Sequence, residues 1–111
     1  MLPVFSLLVL RARDVEITAN FYRVLGFEFQ AEQHGRGPLH LACERDRFVL
    51  EIYPLKPNQE EVTDSIMLGL RVESLEAALE SLGVSVEIKE GEARFCTLRD
   101  PDGRTVRLEE Q

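Results

Sequence analysis

Two stretches of this chain say nearly the same thing. Asp100-Pro101-Asp102-Gly103 leads into Arg104-Thr105-Val106-Arg107-Leu108-Glu109, a turn followed by an alternating strand. The scheme occurs 56 residues earlier in Asp46-Arg47-Phe48-Val49-Leu50-Glu51-Ile52-Tyr53, with Asp46, Leu50 and Ile52 at the places of Asp102, Val106 and Leu108. Proline presets φ for a turn, glycine accepts φ > 0, and apolar residues at every second position bury one face of a strand. A duplicated turn and strand within 111 residues confines the chain to one domain made of two similar halves.

The rest of the chain fits that frame. Phe5 to Arg11 is rich in branched residues and reads as a first strand. Asp14 caps a helix over about Val15 to Leu25, with Ile17, Phe21 and Leu25 at helical spacing and Gly26 as its stop. Phe27 to Glu32, Leu39 to Cys43 and Phe48 to Tyr53 read as strands, the first two separated by Gly35-Arg36-Gly37-Pro38. A connector with two prolines and a polar run covers about 54–63. The order then returns: a strand at Ile66 to Val72, a helix capped by Ser74 and ending at Leu82 before Gly83, and strands at Val84 to Lys89, Ala93 to Leu98 and Thr105 to Glu109. The reading is an α+β domain spanning 1–111. Two βαβββ repeats, 1–54 and 64–111, form an incomplete eight-stranded barrel-like sheet with two helices packed outside.

Charge and composition narrow the partners. A net charge of −7 repels phosphate backbones, and no basic stripe is interleaved with aromatics, so no nucleic acid is expected. No apolar run approaches the roughly 20 residues of a membrane span, and Met1 to Ser6 show no basic leader, so a cytoplasmic protein is expected. Cys43 and Cys96 have no histidine at zinc spacing and are read as reduced thiols. No Gly-x-Ser-x-Gly or phosphate-cradling glycine loop is present.

Leu8-Val9-Leu10-Arg11-Ala12-Arg13-Asp14-Val15-Glu16, then Phe21-Tyr22-Arg23-Val24-Leu25-Gly26-Phe27, then Asp100-Pro101-Asp102-Gly103 together resemble the vicinal oxygen chelate superfamily over essentially the whole chain. That superfamily includes glyoxalase I, extradiol dioxygenases, fosfomycin-resistance transferases and bleomycin-resistance proteins. The resemblance implies paired βαβββ units and four metal-ligand positions, which fall here on Leu7, Glu51, Met67 and Arg107. Only Glu51 can hold a divalent ion. The resemblance therefore implies no metal, no cofactor and no catalytic residue. It disfavours metal-dependent lyase, transferase or dioxygenase activity and points to metal-free ligand binding of the bleomycin-resistance kind. Small members of the superfamily commonly pair, some exchanging halves, so a homodimer is expected.

Strand alternation assigns Leu7, Val9, Arg11, Val49, Glu51, Tyr53, Met67, Gly69, Arg71, Thr105 and Arg107 to the face away from the helices. Glu51 and Arg107 hold matching positions in the two halves and could meet as a charge pair, or stand as two solvated charges. Leu7 and Met67 are weighed as core, Tyr22 as a packed ring, Tyr53 as a hydroxyl near solvent and His34 as a solvated loop residue. His40 could face the cavity. The expected ligand-binding residues are thus Glu51, Arg107, Leu7, Val9, Val49, Tyr53, Met67 and His40, taking a cationic or aromatic small molecule. Two alternatives stand beside this reading. One is a glyoxalase- or dioxygenase-like enzyme, without a metal or with one relocated to Glu51, His40 and Glu109. The other is a dimeric interaction module without catalysis.

Overall fold

In each half the first strand runs parallel to the last, with the intervening strands antiparallel. The computed structural model describes residues 1–111. The elements are β1 (Leu7–Ala12), α1 (Val15–Val24), β2 (Gln30–Glu32), β3 (His40–Arg45), β4 (Phe48–Pro54), β5 (Met67–Val72), α2 (Leu75–Leu82), β6 (Phe95–Arg99) and β7 (Thr105–Glu110). The first sheet has the order β1-β4-β3-β2 and the second β5-β7-β6. β1 lies parallel to β4 with Val9 opposite Glu51, and β5 parallel to β7 with Gly69 opposite Arg107. The sheets do not close into a barrel, and the two helices pack on one side. Each sheet has its own core, and Phe21 and Leu25 of α1 touch both.

Local chemistry explains the helices. The Asp14 carboxylate accepts from the Ile17 N–H and the Ser74 hydroxyl from the Ala77 N–H, each satisfying a first-turn donor. Gly83 ends α2 at φ 71°, in the left-handed region where glycine carries no Cβ penalty. α1 turns inward a wider stripe than its apolar spacing suggests: Phe21 and Leu25 pack on both cores as the spacing requires, and polar residues join them. Thr18, Ala19 and Tyr22 are buried, while Ile17 is 57% exposed.

The polar stripe exists because the Asp-Pro-Asp-Gly turn of the second half docks on it. The Tyr22 hydroxyl donates to Asp100 at 2.8 Å, and the Thr18 hydroxyl donates to Asp102. Arg104, 1% exposed, pairs with Asp100 at 3.1 Å and Asp102 at 3.5 Å. It also donates to the Thr63 and Arg11 carbonyls. Burial, then the hydrogen bond to Asp100, pushes the Tyr22 phenol well above its usual range, so it stays a donor. The turn is thus the bolt between the halves.

Three sequence expectations change. Val84 to Lys89 forms no strand: Val86 and Ile88 satisfy the alternation by packing on the second core, and only Lys89 bridges Phe95. Seven strands result instead of eight. Phe27 to Phe29 pack against the first core without joining the sheet, so β2 is three residues long. Leu7 and Met67 are not core; they stand 52% and 63% exposed on the open face of the sheets.

That open face leaves a large surface. The accessible area is 7862 Å², against about 6,200 Å² for a compact monomer of this mass. The radius of gyration is 14.9 Å, against about 13 Å for a globule of this length. No helix is long and apolar enough to cross a membrane.

Candidate metal centre

The face of the first sheet away from the helices is read from the strand registers as rows across the strands. Glu32 pairs with His40 and Arg11 with Tyr53, while the His40 and Tyr53 rings stack at 4.0 Å and 9°. One row is therefore Glu32, His40, Tyr53, Arg11. The next is Gln30, Ala42, Glu51, Val9. His40 sits between two glutamates because β3 lies between β2 and β4 and Ala42 leaves room beside it.

His34 reaches the same point through the loop. The Gly37 N–H donates to the His34 carbonyl at 2.9 Å, and a Cβ on Gly37 would come within 3.1 Å of that oxygen. This tight turn, together with Gly35 at φ 58°, folds the loop back. The His34 ring centre then lies 5.2 Å from that of His40.

The result is four ligating side chains, Glu32, His34, His40 and Glu51, whose donor atoms all lie within 4.8 Å of one another. His40 Nε2 is 3.3 Å from Glu32 Oε1 and 3.4 Å from Glu51 Oε2, and His34 Nε2 is 3.5 Å from Glu32 Oε1. His40 is 1% exposed, and its Nδ1 stands 3.2 Å from the Pro38 carbonyl oxygen. That oxygen can only accept, so Nδ1 is the donor of this contact and Nε2 is turned toward the two carboxylates. One ring nitrogen and two carboxylate oxygens thus converge on a point that a proton or a metal ion would bridge.

The donor set fits a metal. A tetrahedral ion with bonds of about 2.1 Å has ligand–ligand edges of about 3.4 Å, and three edges of this cluster are 3.3, 3.4 and 3.5 Å. Two imidazoles and two carboxylates suit zinc, iron, nickel or manganese. The Nδ1–H bond to a backbone carbonyl is the outer-shell contact that fixes a ligating histidine.

This finding corrects the expectation that metal-dependent activity is disfavoured: four side chains are grouped as a metal site needs. Leu7, Met67 and Arg107 indeed cannot ligate, but Glu51 has recruited neighbours from its own sheet. Glu32 and His34, passed over in the sequence, complete the group. Glu109 does not take part: it lies on β7, opposite Phe95. The pairing of Glu51 with Arg107 is also corrected. Glu51 faces His40, while Arg107 lies 3.8 Å above the Phe95 ring in the other sheet.

Around the cluster opens an acidic trough of about 780 Å³, lined by Glu28, Glu32, Glu44, Glu51, Arg45 and Val49 among others. Of the expected ligand-binding residues, Glu51 and Val49 line it, His40 joins the cluster and Tyr53 backs His40. Val9 borders a separate depression beside Arg11. Leu7 lies on β1, and Met67 and Arg107 lie on the second sheet.

Two βαβββ-like units with a concave sheet face define the vicinal oxygen chelate fold, and this chain has it. Solved structures that share the fold include an antibiotic binding protein, TnmS3, from Streptomyces sp. CB03234, at 23% identity and TM-score 0.72 over 98% of this chain and 96% of that one. A glyoxalase-related enzyme from Fulvimarina pelagi matches at 19% identity and TM-score 0.73, covering 99% and 89%. A lactoylglutathione lyase from Agrobacterium tumefaciens matches at 17% and 0.65, covering 96% and 92%. No protein-family model matches the sequence, and no curated protein does.

Proposed function

We propose that the chain is a metal-dependent enzyme whose ion is held by Glu32, His34, His40 and Glu51, and which acts on a small oxygen-bearing molecule in the acidic trough. The observation that carries this reading is the convergence of four donor atoms within 4.8 Å around a buried, backbone-anchored histidine. When bound, a divalent ion would supply Lewis-acid polarisation of a substrate oxygen. Tyr53 holds the His40 ring flat, and Glu51, mostly shielded at 14% side-chain exposure, keeps the inner side of the site negative. Glu32, at 43%, is the more exposed of the two carboxylates and the one an incoming molecule would meet first. The cation that an acidic chain draws in is, on this reading, the ion itself.

The test is metal analysis and titration. One zinc or equivalent ion per chain is expected, with His40→Ala and Glu51→Ala each weakening zinc at least 100-fold against a chromophoric chelator. Unchanged zinc affinity in both variants would refute the site.

We also propose that the chain pairs with a second copy. Its excess accessible area is about twice what one side of a standard interface buries and of the order one side of a large obligate interface buries, and the open face carries exposed Leu7, Val9 and Met67. The open face of the first sheet carries Glu32, Glu44 and Glu51 against Arg11, while that of the second carries Arg71, Arg99 and Arg107 against Glu109, so the two faces are opposite in net charge. Met67 and Arg107 would then reach a ligand from the other copy. A strict monomer by sedimentation at micromolar concentration would dismiss the pairing.

A further inference from the structure

Beside the acidic trough, on the far side of Tyr53, lies a depression of about 520 Å³ lined by Val9, Arg11, Lys56, Gln59 and Thr63. Its charge is opposite to that of the chain. In a protein with 20 acidic and 13 basic residues, Arg11 and Lys56 line one depression and, like most of the basic residues, have no carboxylate partner; only Arg13, Arg23, Arg94 and Arg104 do. Glu60 and Glu61 share the connector with Lys56 but form no ion pair with either cation.

The depression is also held in shape. Arg11 Nη1 donates to the Pro54 carbonyl at 3.1 Å, and its guanidinium lies 4.7 Å from the Tyr53 ring centre. These contacts fix the plane of the fork and leave its other N–H groups unused. Buried Arg104 grips the carbonyls of both Arg11 and Thr63, so the two walls are tied to one residue. On the third side the Gln59 N–H bonds the Lys56 carbonyl at 2.9 Å, and the Gln59 side chain accepts from the Lys56 N–H at 3.1 Å. A guanidinium already oriented and covered on one face, in a depression that an exposed lysine also lines, can receive an oxyanion with little loss of entropy at the arginine.

We infer that Arg11 and Lys56 bind an oxyanion, a carboxylate or phosphate, belonging to the molecule whose other end meets the Glu32–His34–His40–Glu51 centre. Arg11 stands two stacked groups from His40, across β1, β4 and β3, a span of about 10 Å. The substrate is therefore a small anionic compound with a second oxygen-bearing group about that far from its charge. The joint occupancy rests on the metal reading above; the oxyanion site does not.

The experiment is calorimetric titration of the whole chain with inorganic phosphate and, separately, with succinate at low ionic strength. Both are run before and after zinc loading. Saturable binding of one anion per chain is expected, tighter for phosphate if the site takes a tetrahedral group and tighter for succinate if it takes a carboxylate. Arg11→Gln is expected to weaken it at least tenfold and Lys56→Gln about threefold, while Lys89→Gln, an exposed cation in the other half, leaves it unchanged. Arg11→Gln keeps the backbone carbonyl that Arg104 holds, and its melting temperature confirms folding. If that variant does not fold, the Lys56 variant decides. No saturable heat with either anion, or wild-type affinity in both variants, overturns the inference. Zinc binding without anion binding refutes this site and spares the metal centre; the reverse refutes the metal centre and spares this site.

Discussion

Replacing Arg104 with methionine tests how the two halves are bolted together. Methionine keeps much of the stem volume and removes the charge and every side-chain hydrogen bond. In the native structure that guanidinium faces Asp100 and Asp102, whose side chains are 0% and 3% exposed. Breaking a buried pair by removing one partner costs about 3–5 kcal/mol. Here the loss falls at the low end, because Asp100 keeps the Tyr22 hydroxyl and the N–H groups of Asp102 and residue 104, and Asp102 keeps Thr18 and the Arg13 N–H. The orphaned Thr63 and Arg11 carbonyls add about 0.5–1 kcal/mol each. The expected destabilisation is about 4 kcal/mol, a large share of the roughly 5–15 kcal/mol available to a domain. Urea unfolding of Arg104→Met, Asp100→Asn and the double variant measures it. The double variant should recover at least about 1 kcal/mol relative to the sum of the singles, since it leaves one buried carboxylate, Asp102, without the guanidinium instead of two. A single-variant loss under about 1 kcal/mol, or no recovery, would show that the network is not what joins the halves.

Other outcomes follow from the same structure. Tyr22→Phe should cost about 1–2 kcal/mol near neutral pH. The raised native pKa of Tyr22 means that the unfolded chain loses this proton first, so its stabilising contribution is complete below about pH 10 and declines as pH rises beyond that. The alkaline decline in urea stability should therefore be shallower in Tyr22→Phe, and an identical slope would refute the assignment. Asp46 and Arg47 close the β3–β4 hairpin at φ 52° and 68°, a conformation that suits Asn-Gly better. Arg47→Gly should gain about 0.5–1 kcal/mol, read as a higher melting temperature, with zinc affinity unchanged. Burial pushes the Cys96 thiol up, so Cys96 should react with a thiol reagent only at the rate of unfolding, which timed mass spectrometry can follow.

The register of the first sheet was already latent in one turn. Centring the β3–β4 hairpin on Asp46 and Arg47 places Ala42 opposite Glu51, and closing the β2–β3 loop about Arg36 places Glu32 opposite His40. Read that way, the sequence brings Glu32, His40 and Glu51 to one face. Placing the turn at Glu44 to Asp46 instead hides the relation, because a small shift of register moves the partners apart. His34 could not be found by such counting, since it arrives through a loop whose path depends on Gly35 and on the hydrogen bond from Gly37 to the His34 carbonyl.

What the sequence determined by itself was the duplicated plan: two strand-helix-strand units, caps at Asp14 and Ser74, a terminating Gly83, and the loss of ligating side chains at residues 7, 67 and 107. These are local matters, settled by backbone preference and by side-chain chemistry that no neighbour can alter, except that residues 7, 67 and 107 count as ligand positions only through the resemblance. Only the tertiary structure decided that Thr18 and Tyr22 of α1 are buried against Asp102 and Asp100, that Val84 to Lys89 stays out of the sheet, and that Glu51 meets two histidines and a glutamate instead of Arg107. Each of these depends on what stands across from a residue, which periodicity within one segment does not record.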